Sequence, residues 1–312
     1  FLYDNVRDGI LALTEDLFKL DIREWDTPTW HEDVEAYEVV EGGKVIGRFY
    51  FDNHPRQGKY THANMIPLRA GLQGRTVPVG ALVQNFPEGK MEHGQVETFL
   101  HEFGHMLHGI LGGQSHRWFG TSGITNEWDF VEAPSQVLEN WVYDYDTLSR
   151  FAKNEKGETI PRELVEKMNA ARYFGLGLSD MRQLGLSNIS LKFHEGVPQG
   201  NLGDLTRQYE GKFDPMGYPT GTQMQDAFGH LNGYSAAYYT YRWSVVVADD
   251  MFTRFAKEGL RNPQTAADYR NFILAPGGSG PSAALVKQFL GRDISLDAYR
   301  EKVAKGMIPA AK

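Results

Sequence analysis

An α-rich α+β fold with a small β-sheet is what this sequence predicts, on three observations. Strand-like apolar runs are confined to the part of the chain before residue 90. Beyond residue 160 the apolar spacing is mostly helical, interrupted by Pro and Gly at Asp214–Pro219 and Ala275–Pro281. Between the two regions stands an amphipathic helix around residues 96–110. Strands early and helices late describe an α+β arrangement rather than alternating βαβ units.

Taken in order, residues 1–25 carry helical spacing through Val6, Ile10, Leu11, Leu13 and Leu17. Ala36–Val40 and Val45–Phe51 read as a hairpin about the turn Glu41-Gly42-Gly43. Val79–Phe86 is a further strand, closed by Pro87 and Gly89. In the amphipathic helix Val96, Phe99, Leu100, Phe103, Met106, Leu107 and Ile110 recur at three- and four-residue steps. A Gly-rich loop over 112–126 leads to a second helix predicted across 129–152. No repeat or low-complexity tract occurs, and the 312 residues read as one domain over 1–312.

Composition narrows the function. Hydrophobic residues make up 41% and charged residues 23%, ordinary for a globular chain. The net charge is −8 and no basic block is present, so nucleic acid is not an expected partner. No run approaches the ~18 apolar residues of a membrane span, so no membrane is expected either. Cys is absent, which removes disulfides, thiolate ligands and a Cys nucleophile; any metal must be held by His and carboxylates. Phe1–Asn5 is not a signal peptide and the chain does not start with Met, so the expectation is a processed or excised piece of something longer. The cytoplasm is the expected compartment, though the lack of Cys also suits exported proteins.

The chemistry is concentrated in His101-Glu102-Phe103-Gly104-His105, an H-E-x-x-H on the amphipathic helix. His101 and His105 are one turn apart and project the same way, so they can share one metal ion. Glu102 beside them can reach a water on that metal. This is the zinc-hydrolase arrangement. A third ligand is then required. The continuation H-x-x-G-x-x-H fails here, because its positions hold His108 and Leu111. His108 therefore reads as packing or support behind the ligands. Glu127 and Glu132 are the candidates downstream. Glu132 opens a polar stripe with Ser135, Gln136 and Glu139, opposed by Val131, Val137, Leu138, Trp141 and Val142. Spacing alone leaves Glu127 and Glu132 even.

Phe99–His108 followed by Asp129–Trp141 resembles the M3 family of zinc oligopeptidases. Three more blocks agree: Phe49–Asp52 with Pro55–Tyr60, Ala81–Phe86, and Phe289-Leu290-Gly291-Arg292. The resemblance runs through nearly the whole chain. It implies a zincin-like metallopeptidase catalytic domain, with the N-terminal helical half of the family absent. It implies one Zn²⁺ on His101, His105 and Glu132, Glu102 as general base, and short peptides as substrates. Glu97 and Glu139 become candidates for orienting the ligand histidines. Ala81–Phe86 matches the family's active-site edge strand, which implies that the backbone at Ala81, Leu82, Val83 and Asn85 pairs with an extended peptide.

Tyr234, Tyr238 and Tyr241 fall at helical spacing, which by itself suits an aromatic stripe in a core. The resemblance implies instead that His230, Tyr234, Tyr238 and Tyr241 bind substrate and hold the oxyanion. One departure stands beside it: the family has two adjacent glycines and one more residue after the His, where this chain has only Asn232-Gly233. The rival expectation is a non-catalytic peptide-binding or assembly module, with a separate N-terminal fragment as its partner.

Overall fold

A computed structural model describes residues 1–306; the last six residues of the predicted domain lie outside the described residues. Helix α1 (Tyr3–Phe18) is followed by four strands, β1 (Asp21–Glu24), β2 (Glu35–Glu41), β3 (Lys44–Asp52) and β4 (Asn64–Arg69), and then by β5 (Val79–Val83). Helix α2 (His93–Leu111) carries the H-E-x-x-H motif. Helices α3 (Ala133–Leu138), α4 (Tyr145–Phe151), α5 (Arg162–Ala171), α6 (Leu176–His194) and α7 (Leu202–Glu210) follow. Two single turns, α8 (Met224–Ala227) and α9 (His230–Gly233), precede α10 (Thr240–Glu258), α11 (Pro263–Tyr269), α12 (Ser282–Leu290) and α13 (Asp297–Lys305). Among the described residues no helix is long and apolar enough to cross a membrane.

The predicted hairpin is present as β2 and β3, joined through Gly42 and Gly43 with φ of 55° and 80°. Two left-handed residues give the turn a twist that matches the flanking strands, and glycine takes that conformation without strain. The five strands lie in the order β1-β2-β3-β5-β4, antiparallel except for β3 and β5.

That order corrects one expectation. Val79–Val83 is not an edge strand. Tyr50 and Ile66 both stand beside Ala81, and Phe51 and Met65 both stand beside Leu82. The backbone groups of Ala81, Leu82 and Val83 are thus engaged on either side. The edge next to α2 is β4, which the sequence reading did not anticipate. Pro67 in its middle and a bulge between Pro67 and Arg69 remove the alternation that marks a strand. Proline belongs on an edge for the same reason, since it lacks a donor.

Helix α2 lies on the sheet through its predicted apolar face, all of whose seven residues are buried. Phe103 packs edge-on against Phe49 and Phe51, and Phe99 against Phe51. Glycines set the spacing: a Cβ on Gly80 would come within 2.8 Å of Met106 Sδ. A reciprocal capping box between Glu92 and Gln95 starts the helix.

Two helical predictions are broken by local chemistry. The helix expected over 129–152 is α3, a 3₁₀ turn at Glu139–Tyr143, and α4. Asp144 restarts it, its side chain accepting from Thr147 N at 2.8 Å. The helix expected through the tyrosines is also interrupted. Ser235 has a φ of 48°, so Tyr234 and Tyr238 sit in turns and only Tyr241 is in α10.

Asp52 pins the end of β3 to the approach of α2. Its carboxylate accepts from Arg56 at 2.5 and 2.7 Å, and from Trp30 Nε1 at 2.9 Å. Lys59 lies 2.9 Å from it and donates to the carbonyls of Asp52, His54 and Gln84. Burial opposes charge on Asp52, but these partners outweigh it and hold the carboxyl well below the usual range. An ionised group with a lowered folded pKa stabilises the fold above the unfolded value of about 3.9, and that stability fades as pH falls below it. Asp52→Asn should therefore cost about 3–5 kcal/mol at pH 7, since Lys59 loses its buried counter-charge. The gap to the parent should narrow below about pH 4. Urea unfolding at pH 7 and pH 3 measures both.

Candidate metal centre

His101 and His105 point from α2 toward Glu132, the residue just before α3, whose side chain does not cap that helix. His105 Nε2 lies 3.2 Å from His101 Nε2 and 3.1 Å from Glu132 Oε2, and His101 Nε2 lies 3.2 Å from the same oxygen. Two imidazole nitrogens and a carboxylate oxygen thus form a triangle. Its edges are close to the ~3.3 Å between ligands of a tetrahedral zinc with bonds near 2.0–2.1 Å. Among the described residues this trio is the group of His and carboxylates that could hold a metal ion.

Gly104 brings the two helices together. A Cβ there would meet Ser135 Cα at 2.8 Å, so the backbones of α2 and α3 approach more closely than any side chain allows. The polar stripe faces inward across this contact. Ser135 Oγ donates to Glu132 O at 2.8 Å. Glu139 Oε1 accepts from His101 Nδ1 at 2.7 Å, leaving Nε2 for a metal. Burial works against charge on His101, yet Glu132 and Glu139 raise its imidazole well above the usual range. Burial likewise works against charge on Glu132, but His105 and His101 hold it well below the usual range.

The competing candidates lie elsewhere. Glu127 accepts from Ser282 N at 3.1 Å and from the Ser282 hydroxyl, capping the start of α12. His108 is fully buried, neither ring nitrogen has a partner, and burial pushes it down to about 3. It packs as a neutral ring behind His105. Glu97 accepts from Tyr143 OH at 3.0 Å, so it supports that tyrosine and not a ligand histidine. Glu102 is buried next to His101. Burial and Glu132 raise the Tyr234 phenol, and Glu102 adds a smaller push in the same direction.

The tyrosines converge despite the broken helix. The rings of Tyr234 and Tyr238 lie 5.2 and 4.9 Å from Tyr241, and His230 packs on all three at 5.2–5.7 Å. Tyr234 OH donates to Glu132 Oε1 at 2.5 Å, with the Tyr241 hydroxyl against it. Glu132 therefore turns one oxygen to the histidines and the other to a phenol. The segment is docked on the loop before α3: Thr240 Oγ1 donates to Trp128 O at 2.5 Å, and the Trp128 ring meets Tyr234 edge-on. Trp128 was not singled out in the sequence, where nothing distinguishes it from a surface aromatic.

The predicted substrate strand is not brought to the site as expected. Ala81, Leu82 and Val83 lie inside the sheet, and Asn85 Nδ2 donates to the carbonyls of Tyr60 and His62, holding the preceding loop. Free backbone groups near α2 belong to β4.

Residues 1–305 match peptidase family M3. The chain belongs to that family. It is 34% identical over 313 residues to a thimet-like oligopeptidase of Dictyostelium discoideum, covering 93% of this chain and 46% of that protein. Saccharolysin of Saccharomyces cerevisiae is 34% identical over 95% of this chain and 45% of its own length. Oligopeptidase A of Escherichia coli is 34% identical over 94% and 46%. The chain thus spans about half the length of the curated relatives it matches. Among solved structures, a putative oligoendopeptidase F shares the fold at a TM-score of 0.57 and 18% identity, over 81% of this chain and 42% of that one. A Pyrococcus furiosus carboxypeptidase does so at 0.57 and 14%, over 98% and 59%.

Glu132→Ala should cost the chain its metal, while Glu127→Ala should leave metal affinity nearly intact and lower only thermal stability. Gly104→Val should push α3 from α2 and weaken metal binding by about tenfold or more, with an overpacking cost of about 1–3 kcal/mol. Gly94→Val on the same helix meets nothing within 4 Å and serves as the control. Competition titration against a chromophoric chelator reads each affinity.

Proposed function

We propose that the chain is the zincin-like catalytic part of a zinc metallopeptidase that hydrolyses peptide bonds in short peptides. The observation that carries this reading is the triangle of His101, His105 and Glu132 with Glu102 beside it. Two imidazoles, one carboxylate and no thiolate form a zinc donor set, and three protein ligands leave a fourth position open. Zinc bound there supplies Lewis acidity and brings the pKa of water towards about 7.

The protein's own groups do the rest. Glu102 takes a proton from the attacking water, whose oxygen forms a bond to the scissile carbonyl carbon while the carbonyl electron pair moves onto its oxygen. Tyr238 and Tyr241 donate hydrogen bonds to that developing oxyanion, with His230 at the rim of the same cluster. Tyr234 holds the second oxygen of Glu132, and it reaches substrate only by giving up that bond. Glu102 then passes its proton to the amide nitrogen. The C–N bond breaks, and a carboxylate and an amine leave. The substrate's backbone pairs with the outer edge of β4 as an added strand, taking the place expected of Ala81–Phe86.

A second reading has one specific support. Leu178, Leu184 and Leu191 along α6 are exposed, with Phe174 just before them. Such an apolar surface suits contact with another chain or fragment. In that reading the fragment binds peptides or assembles without turnover. Hydrolysis of a quenched-fluorescent peptide, with and without chelator, separates the two: no chelator-sensitive cleavage by the zinc-loaded chain would leave only the binding role.

Glu102→Gln should keep zinc bound and remove most turnover, as elemental analysis beside peptide hydrolysis shows; near-normal cleavage by a zinc-loaded variant would sink its role as base. Tyr241→Phe and Tyr238→Phe should each lower kcat by about a hundredfold or more with KM little changed. Intact kcat with a lower melting temperature would instead mark the rings as packing.

A further inference from the structure

We propose that the cavity between β4, the second half of α2 and the loop 119–125 is a recognition pocket for one large apolar side chain, aromatic or branched aliphatic, of the bound peptide. The nature of the ligand rests on the peptidase reading above. The cavity itself measures about 390 Å³, within the range of about 300–1,000 Å³ typical of ligand pockets. Met65 and Pro67 form one wall, Met106 and Ile110 the floor, and Phe119 and Ile124 the far wall. The ionisable group in its lining is Arg69, whose Nε donates to Val77 O at 2.9 Å. Nothing in the lining offers a carboxylate to a basic side chain.

The pocket and the donor triangle open onto the same line. Between residues 101 and 110 of α2, the positions that are not buried are His101, His105 and Gly109, at four-residue steps. Gly109 lines the cavity. It stands four residues, about 6 Å along the helix, beyond His105. An extended peptide advances about 3.3 Å per residue, so the pocket falls within about two or three residues of a bond held at the triangle.

Glycine keeps the mouth open. A Cβ on Gly109 would touch only Met65 Cε, at 3.5 Å, so a longer side chain there grows into the cavity. A peptide paired on the edge of β4 turns alternate side chains to opposite faces, which brings one of them over this opening.

The far wall is fixed in advance. Gly278 N donates to Thr121 O and to Thr125 Oγ1, both at 3.1 Å, and Asn126 Nδ2 donates to Gly277 O at 2.7 Å. Gly277 is left-handed, with a φ of 50°, and a Cβ on it would strike Thr121 O at 2.6 Å. Ser122 Oγ ties the other side to Gly71 O at 2.5 Å. A wall held by backbone contacts needs little ordering when a ligand arrives.

The test uses the zinc-loaded chain and quenched-fluorescent peptides that differ at single positions around the scissile bond, carrying Phe, Leu, Ala or Asp. At one position kcat/KM for Phe or Leu should exceed that for Ala by about tenfold or more. In Gly109→Leu, with zinc content retained, that ratio should fall to near one. A ratio unchanged in Gly109→Leu, or no apolar preference at any position, overturns the pocket. A second arm is independent of turnover and of the variant. The ¹³C-methyl resonances of Met65 and Met106 in the parent chain should shift with N-acetyl-phenylalanine amide and not with N-acetyl-alanine amide. Those shifts without any hydrolysis would keep the pocket and discard the peptidase reading. Hydrolysis with neither preference nor shifts would do the opposite.

Discussion

Ser135 Cα stands where a side chain on Gly104 would have to go, and the candidate site depends on that contact. The backbones of α2 and α3 meet with nothing between them, so Glu132 and Glu139, which flank α3 at its two ends, reach His101 and His105 on α2. One glutamate completes the donor triangle and the other fixes the tautomer of a histidine within it. A methyl group between the helices separates both pairs at once. The two x positions of the H-E-x-x-H motif are therefore not neutral spacers: Phe103 is fully buried against the sheet, and Gly104 receives α3.

Around this contact each layer supports the next. Aromatic packing of Phe49, Phe51, Phe99 and Phe103 fixes α2 on the sheet. The Asp52–Arg56–Lys59 cluster fixes the ends of the strands from which the chain reaches α2. The tyrosine segment then closes over α3, bonded to the backbone at Trp128 and to Glu132 itself. Desolvation opposes charge on both His101 and Glu132, and the pairing outweighs it on each side: Glu132 and Glu139 raise the imidazole, while His105 and His101 lower the carboxyl.

Much of this was legible in the sequence, and the failures have physical causes. The apolar face of α2 repeats strictly and is buried as expected, and the Gly42-Gly43 turn requires the conformations that glycine supplies. Glu127 and Glu132 could not be separated by spacing, because the partner that occupies Glu127 is Ser282, far along the chain. Strand β4 was missed because Pro67 and a bulge erase its alternation, and the edge position expected of β5 came from the family resemblance, not from its own residues. The break at Asp144 did carry a signal, an Asp followed three residues later by Thr147, in the pattern of a helix cap. Ser235 carried none: the left-handed residue is a serine although Asn232 and Gly233 lie just before it. The tyrosine rings still gather, since two turns bring them to α10 much as a continuous helix would have done.

The two halves of the site are unequal in the length of chain that must close to form them. His105 meets Glu132 across 27 residues, whereas Tyr234 meets Glu132 across 102. Closing the longer loop costs more entropy, by about 1 kcal/mol on the logarithmic scaling. Each turn that interrupts the tyrosine segment also removes helical hydrogen bonds from it. The donor triangle is therefore tethered locally and the phenols remotely. Thermal opening should release the phenols first and leave the triangle of His101, His105 and Glu132 assembled.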